Sequence, residues 1–358
     1  MMRLIRARID PQALRANLRT LRALAPRSRL MAVVKANAYG HGLVATALAL
    51  AEASAFAVAR LEEAMALRAA GLAQPIVLLE GVLNAEQLSE AAQLQLDLVV
   101  HEPGQLAMLE AYRGSRRFAL WLKVDTGMNR LGFRPAEFRA AWERLQALQP
   151  APLALRVMTH LAAADETDGE MTRAQLARLR PLVQGLTAEL SIANSAALLS
   201  LADTHAHWVR PGLALYGVSP FAGQTGGQLG LVPAMTLESR VIAVREVAVG
   251  ERVGYGGVWR AARASRIAIV AAGYGDGLLR SLPSGAPVLV AGGRAPLVGR
   301  VSMDMIAVDV TGLPPVQVGD RAELWGANLP VEEVAAAAQT IPYELLCAVS
   351  QRVPLELA

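Results

Sequence analysis

From residue 10 to about residue 230 of this chain, helical segments alternate with short, nearly unbroken apolar runs. Eight runs stand out: "LMAVVK" ending at 35, "FAVA" at 56–59, "PIVLLE" at 75–80, "LDLVVH" at 96–101, "RFALWLKVD" at 117–125, "LALRVMTH" at 153–160, "LSIAN" at 190–194 and "HWVR" at 207–210. Strands that read as continuous apolar runs are buried on both faces, and strands joined by helices run parallel. Eight of them close into a (β/α)8 TIM-type barrel, so the fold class is α/β. Local signals agree: Asp10 and Pro11 make an N-cap and first-turn pair before Leu14, Leu18 and Leu21, and Gly71 stops "LEEAMALRAA". After about 230 the texture changes to strand-like runs broken by Gly, Pro and Asp turns, as in "SRIAIVAAGYGDG" and "APVLVAGGRAPLVGRVSMDMIAVDV". We expect a barrel domain over 1–230 and a mainly-β C-terminal domain over 231–358, with one short helix at "VEEVAAAAQ", 331–339.

Composition narrows the function. The chain has 358 residues, 53% of them apolar, enough to fill two cores. A net charge of +4 spread over this length, with acids interleaved, is too weak for a nucleic-acid footprint. The lone cysteine, Cys347, excludes an internal disulfide framework and suits a reducing compartment. "MMRLIRARIDPQAL" lacks the apolar core of an export signal, so a cytoplasmic location is expected. The apolar stretch at 42–59 contains Glu52 and is dominated by alanine, which reads as a buried helix followed by a strand rather than a membrane span.

Of the 35 basic side chains, 33 are arginine; only Lys35 and Lys123 are lysine. Arginine serves for surface charge but does not release its proton at accessible pH, so the two lysines are candidates for amine chemistry. Strand ends of a barrel converge at its C-terminal mouth. There the pattern collects Lys35, then Lys123 with Asp125, His160, Asn194 with Ser195, and Arg210 ahead of Gly212. Ser195 and the Gly212 backbone suit a phosphate, and a lysine beside a phosphate cradle suits a phosphorylated aldehyde held as an imine. Pyridoxal 5'-phosphate leads on these residues; an imine-forming aldolase also fits them. No metal-ligand pattern appears.

The same residues sit in a set of blocks that resembles the alanine racemase family. "AVVKANAYGHG" is similar to its cofactor-lysine motif, followed in family order by "KVDTGMNRLGF", "HLAAADE", "NSAA", "RPGLALYG", "VGYGG", "GYGDG", "GRVSMDM" and "IPYELLC". The resemblance spans residues 32–347 and implies a pyridoxal-phosphate-dependent isomerase acting on L- and D-alanine as a head-to-tail homodimer, each active site borrowing residues from the partner. It implies that Lys35 holds the cofactor and acts as base for the D-isomer, with Tyr255 from the partner as base for the L-isomer. Tyr39, Ser195, Tyr343 and the backbone at Gly212 and Leu213 would bind the phosphate, with Asn194 beside them. Arg210 would face the ring nitrogen, with His160 beside the ring. Arg130 would contact the ring oxygen and the substrate carboxylate. Met303 and Asp304 would close the substrate pocket, and Asp165, Tyr274, Arg280, Arg300 and Ile341 would line the access corridor. Lys123 matches a lysine carbamylated in many members. The product would feed peptidoglycan synthesis, or the enzyme would serve alanine breakdown. Another pyridoxal-phosphate barrel enzyme, a decarboxylase or broader-specificity racemase, is the alternative. Arg210 stands where a decarboxylase would have an acid, and secreted broad-specificity racemases carry an export signal and a cysteine pair.

Overall fold

The computed structural model describes residues 4–166 and 169–358, and all counts refer to these described residues. The first three residues of the segment read for an export signal lie outside them. One compact unit comprises residues 18–38 and 43–215; the other comprises 1–17, 39–42 and 216–358. The expected boundary near 230 therefore falls within the second unit, which also takes up the start of the chain.

The first strand, β1 (Arg6–Ile9), precedes the helix Pro11–Leu24. Asp10 caps that helix as read from sequence, its Oδ1 accepting from Gln12 N at 2.7 Å and Ala13 N at 3.1 Å. The barrel follows: β2 (Arg29–Val33), β3 (Ala55–Val58), β4 (Ile76–Leu78), β5 (Asp97–Val100), β6 (Ala119–Lys123), β7 (Ala154–Met158), β8 (Leu190–Ser191) and β9 (Trp208–Val209). These eight close into one parallel barrel, β9 pairing with β2 through Trp208 and Arg29. Each coincides with one of the eight apolar runs. The stretch at 42–59 is the helix Leu43–Ala49 followed by β3, as its composition implied.

At the strands' N-terminal end, the barrel is plugged by charge and indole rather than aliphatic packing. Arg156 pairs with Glu189 at 2.7 Å and Asp97 at 3.3 Å, its guanidinium 5.1 Å from the Trp121 ring and 5.5 Å from the Trp208 ring. Arg29 also pairs with Glu189 and lies 4.2 Å from the Trp208 ring. The opposite end, where Lys35, His160, Ser195 and Arg210 leave their strands, is free to carry chemistry.

The second unit is built on β10 (Met235–Val247), β11 (Arg252–Val253), β12 (Trp259–Arg260), β13 (Ser265–Val270), β14 (Pro287–Val290), β15 (Gly293–Val298), β16 (Ile306–Asp309), β17 (Arg321–Trp325) and β18 (Leu355–Leu357). The large sheet runs β13-β16-β15-β14-β17-β10-β1-β18, and the long β10 also pairs with β13, so the sheet curls back on itself. The helix Val331–Ala337 matches the expected one. A second, Pro342–Ala348, was not anticipated; Pro342 and Glu344, both in its first turn, are the signals that favour it.

Candidate active site

Lys35, half-buried, leaves β2 at the C-terminal mouth of the barrel and opens a turn of unusual hand. Ala36, Asn37, Ala38 and Tyr39 have φ of 54°, 53°, 54° and 52°. Each such left-handed conformation costs an L-residue ~1–2 kcal/mol. Four in succession persist only where neighbours impose them. Ala36 N donates to the Glu63 carboxylate at 2.6 Å, Ala38 N to Val34 O at 2.9 Å, and Leu43 N to Asn37 Oδ1 at 2.9 Å.

Around the mouth the protein concentrates positive charge. Lys123 is buried at the end of β6; burial first, then repulsion from Arg210, Arg130 and Lys35, pulls its pKa down to about 8 against a weaker pull from Glu80. His160 is held well below its ordinary value, again by burial and then by the charges of Arg210, Arg130, Lys123 and Lys35. It is therefore neutral at physiological pH. Arg210 is buried, which lowers it to about 10, still charged at neutrality. Its guanidinium donates to Ser191 Oγ at 2.6 Å, Thr159 O at 2.7 Å, Ile192 O at 3.4 Å and His160 Nδ1 at 3.4 Å. Those partners are all neutral. Because arginine only donates, Nδ1 of His160 must accept, and the imidazole proton resides on Nε2.

Ser195 Oγ accepts from Gly212 N at 2.8 Å and Ala214 N at 3.3 Å. With both lone pairs engaged, the hydroxyl has only its proton to offer, which suits an anionic oxygen. The Asn194 side chain is committed to structure, accepting from Ala197 N at 3.0 Å as N-cap and donating to Leu161 O at 3.3 Å. Asp125 folds back on its own loop: Oδ1 accepts from Gly127 N and Asn129 N at 2.9 and 3.0 Å, and Oδ2 pairs with Arg134 at 3.3 Å. This loop presents Arg130, which is exposed, as is Asp165. The sequence-derived set Lys35, Lys123, Arg130, His160 and Arg210 thus forms one electrostatic group.

Within the second unit, the Tyr39 ring centroid lies 4.9 Å from that of Tyr216 and 5.8 Å from that of Tyr343. Burial, with smaller contributions from Tyr343 and Cys347, pushes the Tyr39 phenol far above its ordinary pKa, so it remains a donor. Tyr255 sits on a glycine turn between Gly254 (φ 74°) and Gly256 (φ 69°), 68% exposed. Met303, Asp304, Arg280, Arg300, Tyr274 and Ile341 are likewise exposed. Tyr274 and the 302–304 segment are joined by Tyr274 N to Ser302 O at 3.0 Å and Gly275 N to Met303 O at 2.8 Å. Arg352 grips both sides, donating to Asp276 at 2.7 Å and Asp304 at 2.6 Å.

Sequence reading missed Glu63, Ser191, Thr159, Tyr216 and Arg352. Glu63 carries a detectable helix-start signal, an acid three residues past the N-cap Arg60, but that signal does not disclose its reach to Ala36.

Comparison with known proteins bears directly on this arrangement. Residues 9–220 match the alanine racemase N-terminal domain and residues 234–357 the alanine racemase C-terminal domain. The chain belongs to the alanine racemase family. The alanine racemase of Nitrosospira multiformis is 51% identical over 353 residues, covering 98% of this chain and 99% of that protein. That of Shewanella amazonensis is 49% identical over 354 residues, 97% of each. The crystal structure of biosynthetic alanine racemase from Pseudomonas aeruginosa superposes with a TM-score of 0.97 at 47% identity, covering 100% of both chains. The similarity therefore extends over the residues of both units.

Proposed function

We propose that the chain interconverts L- and D-alanine with pyridoxal 5'-phosphate as resident cofactor, using two bases in a homodimer whose sites are each completed by the partner. The observation that carries this reading is the cationic mouth, in which Arg210 is buried and, among the described residues, hydrogen-bonded only to neutral groups. An excess of buried donors and charge fits an anionic ligand bearing a phosphate and, beside it, a substrate carboxylate. Lys35 would hold the cofactor through its amine. Ser195, the backbone at Gly212 and Leu213, and the hydroxyls of Tyr39 and Tyr343 would hold the phosphate, with the Gly212 N–H and the capping Asn194 fixing Ser195 in place.

When bound, the cofactor supplies an electron-withdrawing ring that acidifies the α-proton of an amine joined to it. Arg210 would face the ring nitrogen and, charged at neutrality with a pKa of about 10, would not hand over its proton. Electron withdrawal would thereby be kept partial, which would favour returning a proton to carbon over transamination or decarboxylation. Arg130 would grip the substrate carboxylate and orient the α-carbon. Lys35, once freed by the substrate amine, would remove or return the proton on the D-face. Tyr255 of the partner subunit would do so on the L-face. His160, with its proton on Nε2, would have a donor free to hold the phenolic oxygen of that tyrosine.

At a pKa of about 8, Lys123 is neutral in about one molecule in ten at pH 7. That neutral amine could take up carbon dioxide as a carbamate, whose charge would orient Arg130. Met303 and Asp304 would limit substrate size. Asp165, Tyr274, Arg280, Arg300 and Ile341 would line the approach. The exposure of Tyr255 (68%), Ile341 (59%) and Met303 (53%) supports a partner covering this face. We assign the enzyme to the cytoplasm, supplying D-alanine for peptidoglycan or serving alanine breakdown; no helix among the described residues is long and apolar enough to cross a membrane.

The test is α-proton exchange in deuterated water. Tyr255→Phe should slow exchange from L-alanine by ~100-fold or more. An unchanged rate from L-alanine would remove Tyr255 from the mechanism.

A further inference from the structure

The lysine of the mouth stands on a backbone conformation that its own sequence does not favour. In "KANAY" only Asn37 is of a type that visits the left-handed region readily, yet 36–39 are all left-handed, so something outside the segment imposes the turn. The contact at its entrance comes from the neighbouring βα segment. Glu63, half-buried, lies in the first turn of the helix Leu61–Ala69, which follows β3 at the same end of the barrel. One carboxylate oxygen accepts Ala36 N–H at 2.6 Å; the other accepts Ala59 N–H at 2.9 Å and Arg60 N–H at 3.1 Å. A single carboxylate therefore ties the residue after Lys35 to the end of the adjacent strand. A carboxylate has lone pairs enough to accept with both oxygens at once, and hydrogen bonds to an ionised acceptor are the strong kind.

We propose that Glu63 is a positioning residue for Lys35: by clamping Ala36 N–H to the exit of β3, it holds the left-handed turn and with it the direction in which the Lys35 amine leaves the barrel. This rests on the assignment of Lys35 as the cofactor lysine. Glu63 touches neither cofactor nor substrate in this role; it acts through the backbone at 36. Glutamine at 63 keeps the size but replaces one acceptor oxygen with a donor, so the side chain no longer holds Ala36 and the Ala59–Arg60 pair at once, and the turn is released whichever end is lost. Glu62, exposed and adjacent on the same helix turn, provides a charge-matched control without that contact.

The test uses the full chain with and without added pyridoxal 5'-phosphate, comparing wild type with Glu63→Gln, Glu62→Gln and Lys35→Ala. Backbone amide exchange followed by mass spectrometry on the cofactor-free protein should show 36–39 exchanging at least roughly tenfold faster in Glu63→Gln, with the barrel strands unchanged. Equilibrium titration with pyridoxal 5'-phosphate should show affinity weakened by about tenfold, and kcat should fall by a similar factor while KM for alanine holds. Glu62→Gln should match wild type in all three. Wild-type exchange at 36–39 in Glu63→Gln overturns the proposal, as does an equal loss in Glu62→Gln, which would mark a helix-charge effect. Strand exchange rising together with the turn would mean general destabilisation and also overturns it. Lys35→Ala separates the two claims: if it still binds the cofactor as tightly as wild type, the assignment of Lys35 itself fails, whatever Glu63 does.

Discussion

At the scale of single residues, the two lysines differ in what their surroundings do to them. Lys123 is buried among Arg210, Arg130 and Lys35, and its pKa of about 8 means its neutral fraction climbs as pH rises from 7 through 8. If its role is to carry a carbamate, the adduct should be more abundant at pH 8 than at pH 7 and should vanish in Lys123→Arg, which has no neutral amine to offer. Intact-protein mass measured with and without added bicarbonate checks this, and KM for alanine in Lys123→Arg should rise by roughly tenfold as Arg130 loses its orienting charge. Both lysines were legible in the sequence because an arginine-rich chain exposes every exception. Glu63 and Arg352 were not, since each acts through a partner distant in sequence, and an acid or arginine at a surface position carries no local mark of such a partner.

At the scale of elements, the barrel strands could be read because parallel strands buried on both faces must be apolar throughout, even where only two residues pair, as in β8 and β9. The turn after β2 could not, because its left hand opposes local propensity and is imposed by tertiary contacts. Gly40, which ends it, has φ of +80°, and a Cβ there would lie 2.1 Å from Leu346 O on the helix Pro342–Ala348. Backbone cannot yield as a side chain can, so Gly40→Ala should destabilise by ~3 kcal/mol, measurable by urea unfolding. The charged floor of the barrel was equally hidden. Burial outweighs the pull of Arg156 and Arg116 and raises the Asp97 carboxyl from 3.8 to about 6. An acid raised in the folded state binds more protons folded than unfolded, so stability falls as pH rises from 3.8 through 6, and the loss is complete above that. Asp97→Asn should therefore gain ~2 kcal/mol at pH 8 and nothing near pH 4, with Arg156 still paired to Glu189 at 2.7 Å. Equal unfolding free energies for the two proteins at pH 8 would contradict this.

At the scale of the molecule, β1 belongs to the second sheet through Arg6–Ile9 pairing with 235–238 and Ala7–Ile9 pairing with 355–357, contacts too far apart in sequence to be read from pattern. The proposed dimer is the other property of the whole. If each site takes Lys35 from one chain and Tyr255 from the other, two inactive variants can repair each other. Lys35→Ala and Tyr255→Phe homodimers each lack a base at both sites. In a mixed dimer, one site receives both altered residues and the other receives neither. With free exchange of subunits in an equal mixture, about half the dimers are mixed and each has one intact site of two, so activity should return to about a quarter of wild type. Recovery should follow the rate of subunit exchange and be absent when the variants are assayed immediately after mixing. No recovery after complete exchange would mean that Lys35 and Tyr255 serve the same site from within one chain, and the exposed face around Tyr255 would then need a different explanation.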